Sequence, residues 1–214
     1  MNVSNLQEIL KSKSDLKYRD FAQRLILKDV NMLGVRLPEL RKIAKVLAKE
    51  NTTDVLQNNL PTTFFEEKML LGMAIGYTKT DIKTKLCAVA KFIPQIDNWS
   101  VCDSFCATFR FEKSELNTVW QFLEKYFASQ QEYQCRFAYV MALNHFLNAE
   151  YLDKFLQKAD TFNNDFYYAK MSYAWAMATY HAKFKDTINT YIAKIKDSQL
   201  QKMAIRKISE SRSR

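Results

Sequence analysis

The residue types and spacings that most suggest chemistry are Trp99 and Asp103, in the run Asp97-Asn98-Trp99-Ser100-Val101-Cys102-Asp103. The run reads as the start of a helix. Four residues apart, the indole and the carboxylate project from one helical face, one turn from each other. An aromatic wall beside an anion can hold and stabilise a cation. A plainer reading also fits: Trp99 packed in a core, with Asp103 near a helix N-terminus where the macrodipole favours negative charge. Spacing alone leaves both open, so the elements that position the pair matter.

Only three glycines and three prolines punctuate the 214 residues. That supplies too few turn formers for a many-stranded sheet and favours helices joined by short loops. An all-α chain is expected. Apolar residues recur at helical spacing in blocks that include Phe21 to Leu27, Leu40 to Leu47, Phe64 to Ile75, Leu86 to Ile93, Val119 to Phe127, Phe137 to Phe146 and Met171 to Tyr180. Pro38 suits the first turn of a helix running through Glu39 to Lys45, where its missing N–H would be unpaired anyway.

Superposing the blocks exposes a repeat. Lys68-Met69-Leu70-Leu71-Gly72-Met73-Ala74-Ile75 matches Arg136-Phe137-Ala138-Tyr139-Val140-Met141-Ala142-Leu143 in pattern, and both match Lys170-Met171-Ser172-Tyr173-Ala174-Trp175-Ala176-Met177. The stretch Lys202-Met203-Ala204-Ile205 follows less closely, and Asp103 fills the slot between Lys68 and Arg136. The starts then lie 35, 33, 34 and 32 residues apart, the period of a two-helix solenoid repeat. Each unit is expected to be an αα-hairpin whose second helix opens on a charged residue. A small residue, Ala74, Ala142 or Ala176, then allows close packing. The predicted architecture is an α-solenoid of about six antiparallel helix pairs, one domain over residues 1–214, curved into a right-handed superhelix with its second helices lining a concave basic groove. On this register Lys68, Arg136, Lys170 and Lys202 surround Asp103, four cations around one carboxylate. The alternative is that each charge marks only the solvated edge of an amphipathic helix.

A 48% hydrophobic content can fill a sizeable core. The net charge of +9 and pI near 9.3 point to an acidic partner, nucleic acid ahead of a membrane surface, since no basic amphipathic anchor is present. Met1 to Glu8 lack a basic segment followed by an apolar run, and no stretch nears eighteen uninterrupted apolar residues. A soluble, cytoplasmic protein without membrane partners is expected. Cys87, Cys102, Cys106 and Cys135 form no CxxC pair and read as reduced thiols. The two histidines, His145 and His181, lie far from Cys102 and Cys106, so neither a metal site nor another cofactor is expected. Both histidines read as helix-edge or core residues rather than catalytic bases.

Taken in order, Leu33-Gly34-Val35-Arg36-Leu37-Pro38-Glu39-Leu40-Arg41, then Asp97-Asn98-Trp99 with Asp103, then Cys135-Arg136-Phe137-Ala138, then Tyr173-Ala174-Trp175-Ala176 resemble the DNA alkylation repair family, the AlkD-like alkylpurine DNA glycosylases built from HEAT-like repeats. The resemblance spans nearly the whole chain. It implies that Asp103 is the catalytic carboxylate, that Trp99 and Trp175 flank the sugar of the damaged nucleotide, and that Arg136 holds the DNA backbone. Arg36 and Arg41 become further candidates for phosphate contact, with capping or surface pairing as their plainer role. The implied partner is duplex DNA carrying alkylated bases, bound by a monomer in the bacterial cytoplasm or nucleoid.

The chemistry suits these residue types. A purine alkylated at ring nitrogen 3 or 7 is already cationic and can leave without a general acid, while its sugar becomes oxocarbenium-like. A preorganised carboxylate stabilises that cation and can orient the attacking water, and each aromatic face adds roughly 0.5 to 2 kcal/mol. A bidentate arginine fixes a phosphate without reading sequence. With no lysine needed for a Schiff base, hydrolysis without strand cleavage is expected. Two positions depart from the family pattern: Leu25 stands where some active members carry an aromatic, and Met177-Ala178-Thr179 stands where some carry Leu-Arg-Glu. These departures keep two other classes open, a HEAT-repeat protein that binds bent or branched DNA without excision and a protein-binding HEAT scaffold.

Overall fold

The computed structural model describes residues 2–26 and 29–212, the last by its backbone alone. Among the described residues there are thirteen α-helices and no strand. The chain divides into two compact units, Met1–Arg110 and Phe111–Arg214. The first holds α1 (Leu6–Ser12), α2 (Leu16–Gln23), α3 (Leu37–Glu50), α4 (Thr52–Gln57), α5 (Phe65–Tyr77), α6 (Ile82–Phe92) and α7 (Trp99–Cys106). The second holds α8 (Leu116–Phe127), α9 (Glu132–His145), α10 (Ala149–Asp160), α11 (Tyr167–Lys183), α12 (Lys185–Ile192) and α13 (Ser198–Arg212).

Within each unit the helices stack in chain order, as in an α-solenoid. In the first, α3 packs on α5 and α5 on α7; in the second, α9 packs on α11 and α11 on α13. Two of these inner helices are buried almost all round, which explains their lack of a clean polar face: Met69 to Gly76 of α5 and Cys135 to Leu143 of α9 are continuously buried. The partner helices are amphipathic. α10 buries only Tyr151, Phe155 and Ala159, one stripe at i, i+4 and i+8. Aromatic rings fill the second unit, where Phe155 and Tyr180 stack with centroids 4.0 Å apart and Trp120 meets Phe146 edge-on at 5.1 Å.

Helix starts follow local chemistry. Asp15, Asp81, Asn98 and Asn148 accept the N–H of Tyr18, Thr84, Val101 and Tyr151 respectively, each satisfying an otherwise unpaired donor. Pro38 occupies the first turn of α3 as expected. The Phe21–Leu27 block fares differently. α2 stops at Gln23 because Leu25 and Ile26 donate to Ala22 and Gln23, three residues back, tightening the chain into a turn. Leu27 lies outside the described residues. No helix among the described residues is long and apolar enough to cross a membrane.

Cys102, Cys106 and Cys135 are buried while Cys87 is exposed, and burial pushes the Cys135 thiol up to about 12. His181 is 4% exposed with its Nε2 3.1 Å from the Asn189 side-chain oxygen, and half-buried His145 packs its ring edge-on to Phe111. Both sit as core or helix-edge groups.

Candidate active site

Asn98 starts α7 cleanly, so the phase of the following turn is fixed. Val101, Cys102, Ser104, Phe105 and Cys106 are all buried, which leaves Trp99, Ser100 and Asp103 as the partly open residues of the helix. At i, i+1 and i+4 they form one stripe. The Trp99 indole N–H donates to the Leu25 carbonyl at 3.2 Å, so the turn after α2 fixes the ring. A small cleft of about 190 Å³, lined among others by Tyr18, Phe21, Leu25, Phe65 and Trp99, lies at this junction.

The loop ahead of α3 is held by a carboxylate that composition and periodicity do not single out. Glu66, 1% exposed, accepts the N–H groups of Leu33 (3.0 Å), Gly34 (2.6 Å) and Val35 (3.2 Å). Charge-assisted bonds of this kind are roughly twice as strong as neutral ones. Gly34 has φ +86°, and a Cβ there would collide with the Asp15 carbonyl and the Arg19 Cβ. The loop delivers Arg36, exposed, whose guanidinium sits 2.8 Å from Asp15 and 4.8 Å from the Tyr18 ring centroid. The Tyr18 N–H, then the Arg36 guanidinium, hold the Asp15 carboxyl below its ordinary value. Arg41 lies exposed further along α3. Lys68, on α5, is tied at 2.6 Å to Asp97, the residue just ahead of the α7 cap.

In the second unit Arg136 and Trp175 line one cavity of about 620 Å³, with Met171, Thr179, Lys207 and Glu210 among the other lining residues. Trp175 belongs to a partly open stripe along α11 that runs through Tyr168, Met171, Trp175, Thr179 and Ala182, at steps of three and four residues. Thr179, one of the two departures from the family pattern, donates its hydroxyl back to the Trp175 carbonyl at 2.9 Å. Arg136 is 4% exposed; it donates to the Tyr168 carbonyl at 3.1 Å, with its guanidinium 5.8 Å from that tyrosine's ring centroid. The Tyr168 N–H donates in turn to Glu132 at 2.8 Å. Lys170, 8% exposed, reaches Gln199 at 3.1 Å, Asp165 at 3.3 Å and Asp197 at 3.9 Å, and Lys202 is exposed on α13.

A pattern emerges within both units. Lys68, Arg136 and Lys170 occupy the same repeat position, and each bonds to residues just ahead of, or opening, the next inner helix: Asp97, the Tyr168 carbonyl, and Asp197 with Gln199. They hold successive repeats in register. Three residues that line the cavity or hold the loop carry no role in the sequence pattern: Glu66, Lys207 and Glu210. Glu66 looks like an ordinary acid near a helix start. Lys207 gains meaning only when Leu200, Ala204 and Ile208 are recognised as the buried face of α13, which turns Met203, Lys207 and Ser211 along its edge.

Repeated helix pairs and a basic net charge define a basic helical-repeat protein. The model of the DNA alkylation repair enzyme family matches residues 6–211, spanning both units, and the chain belongs to that family. Its role is accordingly in DNA alkylation repair. Neither the curated proteins nor the solved structures compared with the chain gave a match.

Proposed function

We propose that the protein is a monofunctional DNA glycosylase that hydrolyses the N-glycosidic bond of positively charged 3- or 7-alkylated purines in duplex DNA. The observation that carries this reading is the stripe on α7: in a helix otherwise buried, the groups left partly open are an indole, a hydroxyl and the Asp103 carboxylate. As the C1′–N bond breaks, its electron pair neutralises the departing purine and positive charge grows on the sugar. Asp103 stabilises that charge and orients the water whose oxygen bonds to C1′, the water's proton then passing to solvent, and Trp99 supplies an aromatic face one turn away. In the second unit, Trp175 presents an indole for the sugar and Arg136 both anchors α11 and contacts the DNA backbone. Exposed Arg36, Arg41 and Lys202 serve as phosphate contacts. Lys68 and Lys170 add positive potential while holding repeats together. The protein works as a monomer in the cytoplasm.

The direct test is incubation with a duplex carrying one 7-methylguanine, followed by detection of abasic sites. Asp103→Asn keeps shape and removes charge. We expect it to bind DNA at least as tightly as wild type, since a repulsive anion is gone, and to excise about a hundredfold more slowly or worse. Undiminished excision by this variant would reduce the carboxylate to a structural feature of α7. A second reading, DNA binding without excision, is favoured by Leu25, which is 48% exposed and presents an aliphatic side chain where some active relatives carry an aromatic. Wild-type binding with no abasic product from any cationic lesion would select it.

A further inference from the structure

Resting on that reading, we propose that Lys207 is a positioning residue for the DNA backbone, held in reserve by Glu210 until a phosphate replaces the carboxylate. Lys207 lines the Trp175 cavity beside Arg136, and its ammonium lies 3.2 Å from Glu210 Oε2. The other carboxylate oxygen, Oε1, takes the Nε–H of Arg206 at 3.0 Å. One anion thus bridges two cations on consecutive residues of α13, and the triplet keeps a net positive charge.

The arrangement makes sense at a wall that meets a polyanion. A bare carboxylate there would repel phosphate, whereas this one is compensated twice. The two cations differ in outlook: the Arg206 side chain is 83% exposed, the Lys207 side chain 34%, and of the two it is Lys207 that lines the cavity. An arriving phosphate can take the ammonium while Glu210 keeps the guanidinium, so no charge is left uncompensated. Exposed pairs at i,i+3 and i,i+4 contribute little to stability, so the exchange costs the fold little. The packing of α13 along α11 keeps the ammonium at the cavity that contains Trp175.

The test is duplex binding by the full-length protein across a salt series, using Lys207→Gln, Lys207→Arg and Glu210→Gln. A lost phosphate contact lowers the slope of log K against log salt by about 0.9. We expect that drop for Lys207→Gln and a restored slope for Lys207→Arg, a readout that a packing defect would not move. Glu210→Gln should tighten binding severalfold, and most of the gain should vanish on the Lys207→Gln background. An unchanged slope in Lys207→Gln, or an equal gain from Glu210→Gln in both backgrounds, overturns the inference while the glycosylase reading stands. Failure of the wild type to bind duplex DNA at low salt overturns both.

Discussion

Arg136 serves two ends with one side chain. Its guanidinium is nearly inaccessible, yet it lines the cavity that Trp175 walls, and one of its N–H groups is spent on the Tyr168 carbonyl. Removing it costs that carbonyl its second donor, the first being the N–H one turn further along the helix that carries Trp175. Arg136→Ala is therefore expected to lose DNA binding and excision together and also to lower unfolding free energy by about 1.5–3 kcal/mol, the usual worth of a hydrogen bond to a charged group. Urea denaturation beside the binding assay checks this, and a variant of unchanged stability would show that the arginine faces DNA alone. The sequence made Asp103, Trp99 and Arg136 legible as residue types at repeat spacing. It could not reveal that Arg136 bonds 32 residues ahead, because that contact exists only once one repeat is stacked on the next.

At the scale of elements, helices were readable because apolar spacing and capping act within a few residues. Pro38 opened α3 where its missing N–H costs nothing, whereas the apolar run through Leu25 and Ile26 promised a longer α2 than tertiary packing delivers. The loop from Leu33 to Val35 was readable in part. Its residues carried part of the family resemblance, but the acid that captures its amides sits about thirty residues later, on α5. Glu66→Gln would keep one acceptor and point an amide N–H₂ at donors that need acceptors. We expect a loss of roughly 2–3 kcal/mol in unfolding free energy, together with increased hydrogen exchange at residues 33–35. Exchange confined to its wild-type rate would mean that the loop is held by Gly34 and its neighbours without the carboxylate.

For the molecule as a whole, charge is the property that composition conveyed most directly and geometry refined most. The net +9 is not a uniform coat: Lys68, Arg136 and Lys170 are committed to neighbouring repeats, while Lys202 at the same repeat position, with Arg36, Arg41 and Lys207, lies nearer solvent. If about six phosphates are neutralised, duplex affinity should fall about a thousandfold between 50 and 200 mM salt. A filter-binding or anisotropy titration measures it, and binding indifferent to salt would point to a protein partner instead. The register-keeping cations carry a last consequence for engineering by repeat exchange. Each joins one module to its successor, so a chimera cut between Lys68 and Asp97, or between Lys170 and Asp197, separates a lock from its key even when both parents fold. Transplanting a repeat with its downstream acceptor should succeed where transplanting the bare helix pair fails.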